Sequence, residues 1–382
     1  MSITGERMSG SRSAEDTTFM SPKVRLTLSV LVRILLCVAA ACGTSGREGG
    51  DAGNIDESEA GSSDVVASVC EAGAGPRTLY DFGGMQATQP AIVGDEVIVA
   101  ATSSIMAVPS SGGPPRIVTD AISPTSAVVL GGSVFYQGLE NVPGSDPDAG
   151  VPVPSETQLF SVGLAGGTPE AFPALKHFTP RVTDGTALYL SYDPTGFDRW
   201  VPPSGAPTAL PLDTNLLIDG VLIQGNFLYV AAQDIKSAGF SNGLIGRMPK
   251  SGGAFERIVS GIGHPSNLAA DATSFYWAED PQAITGNGKL VRSALDGSGI
   301  TMLYSGTVFS VAVRAGRVFF SWGTEIDSVA SVGGSAKPLA TGLKNAGFLT
   351  LGDNTLSWVD PVQLSFSSTA SPVLVSLCLS PP

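Results

Sequence analysis

Charged residues are scarce in this sequence: they make up 14% of its 382 residues, and it has only four cysteines and two histidines. No long segment of the sequence shows helical periodicity. There is no glycine loop followed by a helix, no nucleophile elbow and no paired Cys-x-x-Cys motif. These absences argue against a helical domain and against the nucleotide-binding, serine-hydrolase and dithiol functions that such motifs support.

Glycine and proline, in contrast, are abundant, with 47 and 27 residues. Together with the low charge, this composition is typical of many short strands joined by tight turns, and it predicts an all-β fold. The formal net charge of −13 repels phosphate backbones and anionic lipid headgroups. We therefore expect no nucleic-acid partner and no membrane docking through a basic patch, and no cofactor is predicted.

The N-terminal region, 1–41, contains a pattern typical of export. Within 20–41, Lys23 and Arg25 precede an apolar run that Arg33 interrupts once, and small residues follow. The uninterrupted apolar stretch 34–41 is far shorter than the ~20 residues that a membrane-spanning helix needs. The sequence therefore predicts a signal peptide, whose true start is Met20 if the polar residues before it are not translated.

The end of this segment, Ala39-Ala40-Ala41-Cys42-Gly43, resembles a bacterial lipoprotein signal, although that family prefers leucine where Ala39 stands. The resemblance implies lipidation of Cys42 and a place in the cell envelope, at the outer membrane if the host is Gram-negative. Simple secretion is the alternative. Residues 42–75 are acidic and rich in glycine and serine, which predicts a flexible tether. Contact with a membrane is expected only through the lipid.

One pattern recurs through 76–382: two apolar strands around a glycine or aspartate turn, the second strand rich in aromatic residues. Its copies cover 89–102, 124–140, 179–193, 217–234, 265–280, 308–324 and 345–360. The segments between copies each supply two more strands, and the repeat length agrees with the ~40–50 residues of a propeller blade. The sequence therefore predicts a seven-bladed β-propeller of four-stranded antiparallel blades, with the second-strand aromatics packed between blades.

Closing the ring requires one more strand than the links between repeats provide. Residues 77–82 are expected to supply it by pairing with the last blade, which removes the exposed sheet edges. Cys70 lies just before this strand and Cys378 just after the last blade. A disulfide between them would hold the ends of the ring together, and two free thiols are the alternative.

The fifth repeat carries the sequences FYWAED at 275–280 and KLVRSALDGSG at 289–299. With this spacing it resembles the YWTD repeats of low-density-lipoprotein receptor propellers and the related NHL-like propellers of bacteria. The other repeats match less closely, and the YWTD group usually has six blades. The resemblance implies a propeller that binds protein, and it implies no particular activity.

Loops on one face of the predicted propeller are uneven. Blades 2 to 5 carry insertions at 140–157, 193–199, 233–243 and 279–288, whereas blades 1, 6 and 7 are expected to turn within a few residues. Long loops on a rigid scaffold often bind ligands. Three aromatic residues in or beside these insertions are the predicted contact surface, namely Phe197, Trp200 and Phe240.

The two histidines stand at equivalent positions. His177 precedes Tyr189 by twelve residues, and His264 precedes Tyr276 by twelve, which puts both near the mouth of the channel on the same face. A resemblance to propeller-fold streptogramin lyases and metal-dependent amidating lyases would make them a base or metal ligands. No third ligand or catalytic carboxylate has suitable spacing, so loop histidines with ordinary hydrogen bonds are the alternative.

The insertion PGSDPDAG at 143–150 brings Asp146 and Asp148 close together in sequence. Such carboxylates are the hard oxygen ligands that calcium prefers. The segment lacks the glycine and distal glutamate of a helix-loop-helix calcium loop, so a solvated acidic turn is the alternative.

From these features the sequence favours a monomeric, non-enzymatic binding or scaffolding protein of the cell envelope, with a protein, peptide or glycan as ligand. A propeller lyase or hydrolase with His177 and His264 at the channel mouth is the alternative from another class. A structural surface protein without a defined ligand is the third.

Overall fold

The computed structural model describes residues 74–139, 156–192, 196–203, 205–213, 215–236, 242–279, 288–361 and 371–379. Over these ranges the chain forms antiparallel β-strands and contains no helix. This confirms the predicted all-β class. The predicted signal peptide and the candidate site residues Cys42, Cys70, Asp146, Asp148 and Phe240 lie outside the described ranges.

The strands form four-stranded blades whose chain order runs from the inner to the outer edge. The first strand, β1 (Arg77–Asp81), belongs to the last blade. The first five blades contain β2 (Ala91–Val93), β3 (Glu96–Ala101), β4 (Ser104–Pro109) and β5 (Arg116–Asp120); β6 (Ile122–Leu130), β7 (Ser133–Leu139), β8 (Thr157–Gly163) and β9 (Glu170–Lys176); β10 (Phe178–Thr183), β11 (Leu188–Tyr192), β12 (Gly196–Trp200) and β13 (Thr208–Ala209); β14 (Leu216–Gln224), β15 (Phe227–Asp234), β16 (Gly243–Pro249) and β17 (Glu256–Ile262); and β18 (Pro265–Ala270), β19 (Ser274–Glu279), β20 (Lys289–Ala294) and β21 (Thr301–Ser305).

The last two blades share one long strand. They contain β22 (Ser310–Arg314), β23 (Arg317–Ser321), β24 (Gly323–Ala330), β25 (Lys337–Leu351), β26 (Thr355–Asp360) and β27 (Val373–Cys378). The first part of β25 pairs with β24 as the outer strand of blade 6, and its second part pairs with β26 as the inner strand of blade 7. The seven-stranded sheet that results is therefore two blades, and the predicted count of seven blades is confirmed.

Local sequence explains the hairpins. Each inner strand joins the second strand through a tight turn, and in blade 2 the turn residues Gly131 and Gly132 have φ of 60° and 80°. Two successive positive φ values are the mark of a type I′ turn, which suits the twist of the strands and which side chains other than glycine, asparagine or aspartate rarely adopt. The repeated glycine turns thus set the hairpin register.

The ring closes as the sequence predicts. β1 is the outer strand of blade 7, where Arg77 pairs with Ser376 and Asp81 with Val373. Each inner strand contacts the inner strands of its two neighbours, including those of blades 7 and 1. Thr350 Oγ1 of blade 7 also donates a hydrogen bond of 2.9 Å to the Pro90 carbonyl beside blade 1. The inner strands therefore surround a central channel.

The hydrophobic core is divided among the interfaces between blades. Among the described residues there are seven buried apolar clusters, one at each interface. The second-strand aromatics lie in these clusters, as predicted, and Trp277 and Trp358 are fully buried. Because every interface has its own cluster, each blade is held by both of its neighbours.

Candidate functional site

One face of the propeller carries two kinds of loop: those between the second and third strands, and those from an outer strand to the next inner strand. We call it the loop face. In blades 2, 4, 5 and 7 the second and third strands are separated in sequence by 140–156, 235–242, 280–288 and 361–372, most of which lie outside the described ranges. The prediction for blade 3 is wrong, because β12 already begins at Gly196, and the prediction of a short turn in blade 7 is wrong as well.

Several inner strands bulge below the loop face. The register of β10 skips Arg181, and the register of β14 skips Asp219. In β18 the skip covers Asn267, whose φ is 52°. A bulge leaves its residue outside the regular ladder and redirects its side chain. Three adjacent blades therefore present polar side chains along the inner edges that line the channel.

The bulge of blade 4 requires a glycine beside it. A Cβ atom on Gly220 would lie 3.3 Å from the Asn267 backbone nitrogen and 3.4 Å from the Ala231 Cβ. Such distances are tighter than most side-chain contacts allow, so a larger residue would push the inner strands of blades 4 and 5 apart. Gly220 thereby lets Asp219 lie next to the start of blade 5.

His264, directly before β18, contacts this bulge. Its Nε2 lies 2.9 Å from Oδ2 of Asp219, and the same oxygen accepts a hydrogen bond of 3.1 Å from Gln233 Nε2. From blade 3, Arg181 Nη2 donates a 3.3 Å hydrogen bond to the Asp219 carbonyl. Asp219 therefore connects blades 3, 4 and 5, and we call Arg181, Asp219, Gln233 and His264 the mouth cluster.

A buried carboxylate accepts a hydrogen bond from the backbone of the loop that carries His264. Glu279 ends β19 at 4% exposure, and its Oε1 accepts a 2.8 Å hydrogen bond from the Gly263 nitrogen. The same oxygen lies 2.9 Å from Lys289 Nζ. Because the backbone next to His264 is held in this way, the imidazole meets Asp219 from a defined direction.

Electrostatics in the mouth cluster reflect its enclosed position. Arg181 is open to solvent, yet the surrounding strands reduce the hydration of its guanidinium. This desolvation lowers the pKa of Arg181, and the nearby Asp219 carboxylate opposes the effect. The guanidinium nevertheless stays charged at neutral pH, since an arginine pKa lies far above it.

His177 occupies the equivalent position before β10, as the sequence predicts, but its surroundings differ. Its backbone is in the left-handed region with φ of 65°, and its backbone nitrogen donates a 2.8 Å hydrogen bond to the Thr157 carbonyl. Its side chain is exposed. The pKa of the nearby Glu156 is lowered, chiefly by the hydrogen bond with Lys176 and least by the charge of His177. The two histidines thus have different neighbours.

The predicted aromatic contact surface needs correction. Phe197 and Trp200 are each only 2% exposed, because both lie on β12. Phe197 packs in the cluster between blades 3 and 4, and Trp200 in the cluster between blades 2 and 3. Neither side chain is available to a ligand on the surface.

A different aromatic pair reaches the loop face. Phe178 opens β10 and Tyr192 ends β11, and their ring centroids are 5.0 Å apart. Tyr192 is 38% exposed, so it offers an apolar face together with a hydroxyl. The sequence reasoning missed this pair and the mouth cluster. The available signal was the pair of charged residues, Arg181 and Asp219, within inner strands that are otherwise uncharged.

The remaining predictions concern metals and cysteines. Among the described residues, no group of three or more histidine, cysteine, aspartate or glutamate side chains is arranged to hold a metal ion. The calcium prediction falls on Asp146 and Asp148, outside the described ranges. Cys378 is disulfide-bonded. Because Cys70 is not described, its pairing with Cys378 stays a prediction, as does lipidation at Cys42.

Comparisons with known proteins support the fold. No family model matches the chain, and no curated protein matches its sequence. It is similar to YCF48 from Cyanidioschyzon merolae, with a TM-score of 0.55, 9% identity, and coverage of 80% of this chain and 99% of that one. For the AfRom2 CNH domain the TM-score is 0.53 and the identity 11%, over 80% and 99% of the two chains.

A third similar structure is the β-propeller domain of the Trilobed protease from Pyrococcus furiosus, with a TM-score of 0.51, 11% identity, and coverage of 74% of this chain and 93% of that one. That propeller has an open velcro topology, whereas here β1 pairs with β27. The chain spans 27% of the tricorn protease, which it also matches. At these identities the similarities establish a propeller fold and do not indicate an activity.

Within the part of the chain that the structure describes, no helix has the length and apolar character needed to cross a bilayer.

Proposed function

We propose that this chain is a non-enzymatic binding or scaffolding propeller of the cell envelope that holds a protein, peptide or glycan on its loop face. The observation that carries the proposal is the combination of an exposed aromatic residue, Tyr192, with the polar mouth cluster on that face. Binding surfaces commonly combine an aromatic residue with polar groups that still have hydrogen-bond donors or acceptors available.

The scaffold suits this role. The ring is closed by β1, and every blade interface has a buried apolar cluster, so the loop face rests on a rigid support. A preorganised surface loses little conformational entropy when a ligand binds. The acidic chain disfavours nucleic acid as the ligand.

Placement in the cell envelope rests on the sequence. Residues 20–41 have the pattern of a signal peptide, Cys42 has the context of a lipoprotein cysteine, and 42–75 has the composition of a tether. In the proposal, a lipid on Cys42 anchors a monomeric propeller to the membrane, and the tether carries it away from the surface. Mass spectrometry of the mature N-terminus tests this part, and an unmodified terminus contradicts the anchor.

A second candidate function is a propeller lyase or hydrolase. It is favoured by the contact of His264 with Asp219, because a carboxylate that orients an imidazole is the arrangement of a general base. The exposed His177, with its different neighbours, does not add to this pair. Turnover that disappears in His264→Ala, in an assay of candidate substrates, would favour the enzyme over the binding protein.

Affinity capture from envelope extract tests the binding function. The wild type is compared with Tyr192→Ser, which removes the exposed aromatic ring on the loop face. The matched control is Ile117→Ser, which removes an exposed apolar residue from an outer strand. We expect the captured species to be lost with Tyr192→Ser alone, and equal capture by all three proteins would contradict the proposal.

A further inference from the structure

Arg181 has most of its hydrogen-bonding capacity unused. Its one hydrogen bond to a described residue joins Nη2 to the Asp219 carbonyl at 3.3 Å. A guanidinium carries five N–H donors in a planar fork that matches two acceptor oxygens at once. Arg181 is exposed and lies on an inner strand, so its remaining donors are accessible to a ligand from solvent.

Asp219, on the next blade, supplies the complementary acceptor. Its Oδ2 is occupied by Gln233 Nε2 at 3.1 Å and by the contact with His264 Nε2 at 2.9 Å. Its Oδ1 makes no hydrogen bond to any residue in the described ranges. The carboxylate is held in position through one oxygen, and the other is available to accept from a ligand.

We propose that Arg181 and Asp219 form a subsite in the channel mouth for a carboxylate that has an N–H group on the adjacent carbon. This is the chemistry of a peptide C-terminus and of a free amino acid. Arg181 would bind both carboxylate oxygens, and Asp219 Oδ1 would accept from the N–H group.

The charges favour a carboxylate over a phosphate. A phosphate monoester carries a second negative charge, which Asp219 and the net charge of −13 would repel. A carboxylate without an N–H group would leave Asp219 Oδ1 without a donor at the edge of the site. The inference rests on the proposed binding function and specifies the group that the channel mouth receives.

Calorimetric titration of the full chain tests the subsite. The probes are acetyl-trialanine with a free carboxylate, the same peptide as its C-terminal amide, and alanine. We expect the acid to bind and the amide to bind about tenfold or more weakly, because it loses charge-assisted hydrogen bonds to Arg181. Alanine binding as tightly as the acid assigns the subsite to free amino acids, and weaker binding assigns it to chain ends. Equal binding of acid and amide, or no binding of any probe, overturns the proposal.

Variants separate the subsite from a general effect on folding. Arg181→Gln should abolish the preference for the acid, and Arg181→Lys should restore it only in part, since an ammonium lacks the planar fork. Arg314→Gln is the control, because Arg314 also lies on an inner strand but donates to the Gly352 carbonyl and Asn354. Unchanged selectivity in Arg181→Gln overturns the subsite, whereas the capture assay with Tyr192→Ser still decides the binding function.

Discussion

Asp198 is a buried carboxylate in an apolar place. It is 7% exposed on β12, and it makes no hydrogen bond or ion pair with a described residue. The equivalent register positions of blades 2 and 5 are occupied by Leu159 and Val291, which are buried apolar residues. We therefore expect Asp198→Leu to stabilise the propeller.

The size and pH dependence of this gain follow from the burial. A buried polar group without a partner costs about 1–3 kcal/mol, so Asp198→Leu should raise the free energy of unfolding by about that amount at pH 7. Burial raises the pKa of Asp198 above its value in the unfolded chain. Compared with a variant that lacks this carboxyl group, the wild type is therefore most stable below the ordinary aspartate pKa of about 4. Its stability relative to that variant falls as the pH rises through the raised pKa.

A second buried aspartate provides a control of opposite sign. Asp360 is 8% exposed and accepts hydrogen bonds of 2.9 Å from the Lys344 nitrogen and 2.8 Å from the Asn345 nitrogen. Asp360→Asn keeps one carbonyl oxygen, but it removes the charge and replaces Oδ2, which accepts a 3.2 Å hydrogen bond from the Lys344 nitrogen, with an NH2 group. It should therefore lower the free energy of unfolding by about 1 kcal/mol. Asp198→Asn should give a smaller gain than leucine, because it removes the charge and keeps a polar group.

Urea unfolding followed by tryptophan fluorescence measures these differences at pH 7 and pH 4. We expect a gain in stability for Asp198→Leu that is larger at pH 7 than at pH 4, together with a loss for Asp360→Asn. Destabilisation by Asp198→Leu at pH 7, or an equal gain at both pH values, would refute this expectation.

Gly243→Ala should destabilise by more than about 3 kcal/mol, because its Cβ would lie 1.9 Å from the Gly263 carbonyl oxygen; thermal unfolding within a degree of wild type would contradict the overlap. Leu79→Ala, in the closing strand, should cost about 2–5 kcal/mol in urea, and a cost below about 1 kcal/mol would mean that β1 contributes little. Burial raises the pKa of Asp184, but hydrogen bonds from Thr186 and its neighbours outweigh it and bring the value to about 2. Asp184→Asn should therefore cost about 2 kcal/mol at pH 7, and the difference should disappear as the pH falls from about 4 to 2; a pH-independent cost would speak against the carboxylate.

Local sequence was sufficient for the architecture. The hairpins depend on period-two alternation and on turns such as Gly131-Gly132, both of which are properties of neighbouring residues. The number of blades and the closing strand at 77–82 follow from counting those hairpins. Burial of aromatics such as Trp277 also follows, because a large ring in the second strand of a repeat has a neighbouring blade on either side.

The loop lengths were less accessible. After Asp360 the sequence contains two segments with apolar residues at alternate positions, QLSF and VLVSLC. Only pairing with β26 on one side and β1 on the other selects Val373–Cys378.

The sequence by itself determined a closed, seven-bladed, all-β ring, because strand alternation and turn chemistry act over a few residues. Tertiary structure alone decided which side chains the loop face presents. Phe197 is buried because blade 4 packs against it, and Tyr192 is exposed because it stands at the end of its strand. Arg181, Asp219 and His264 come from three blades, and they meet only because the ring brings its inner strands together around one channel.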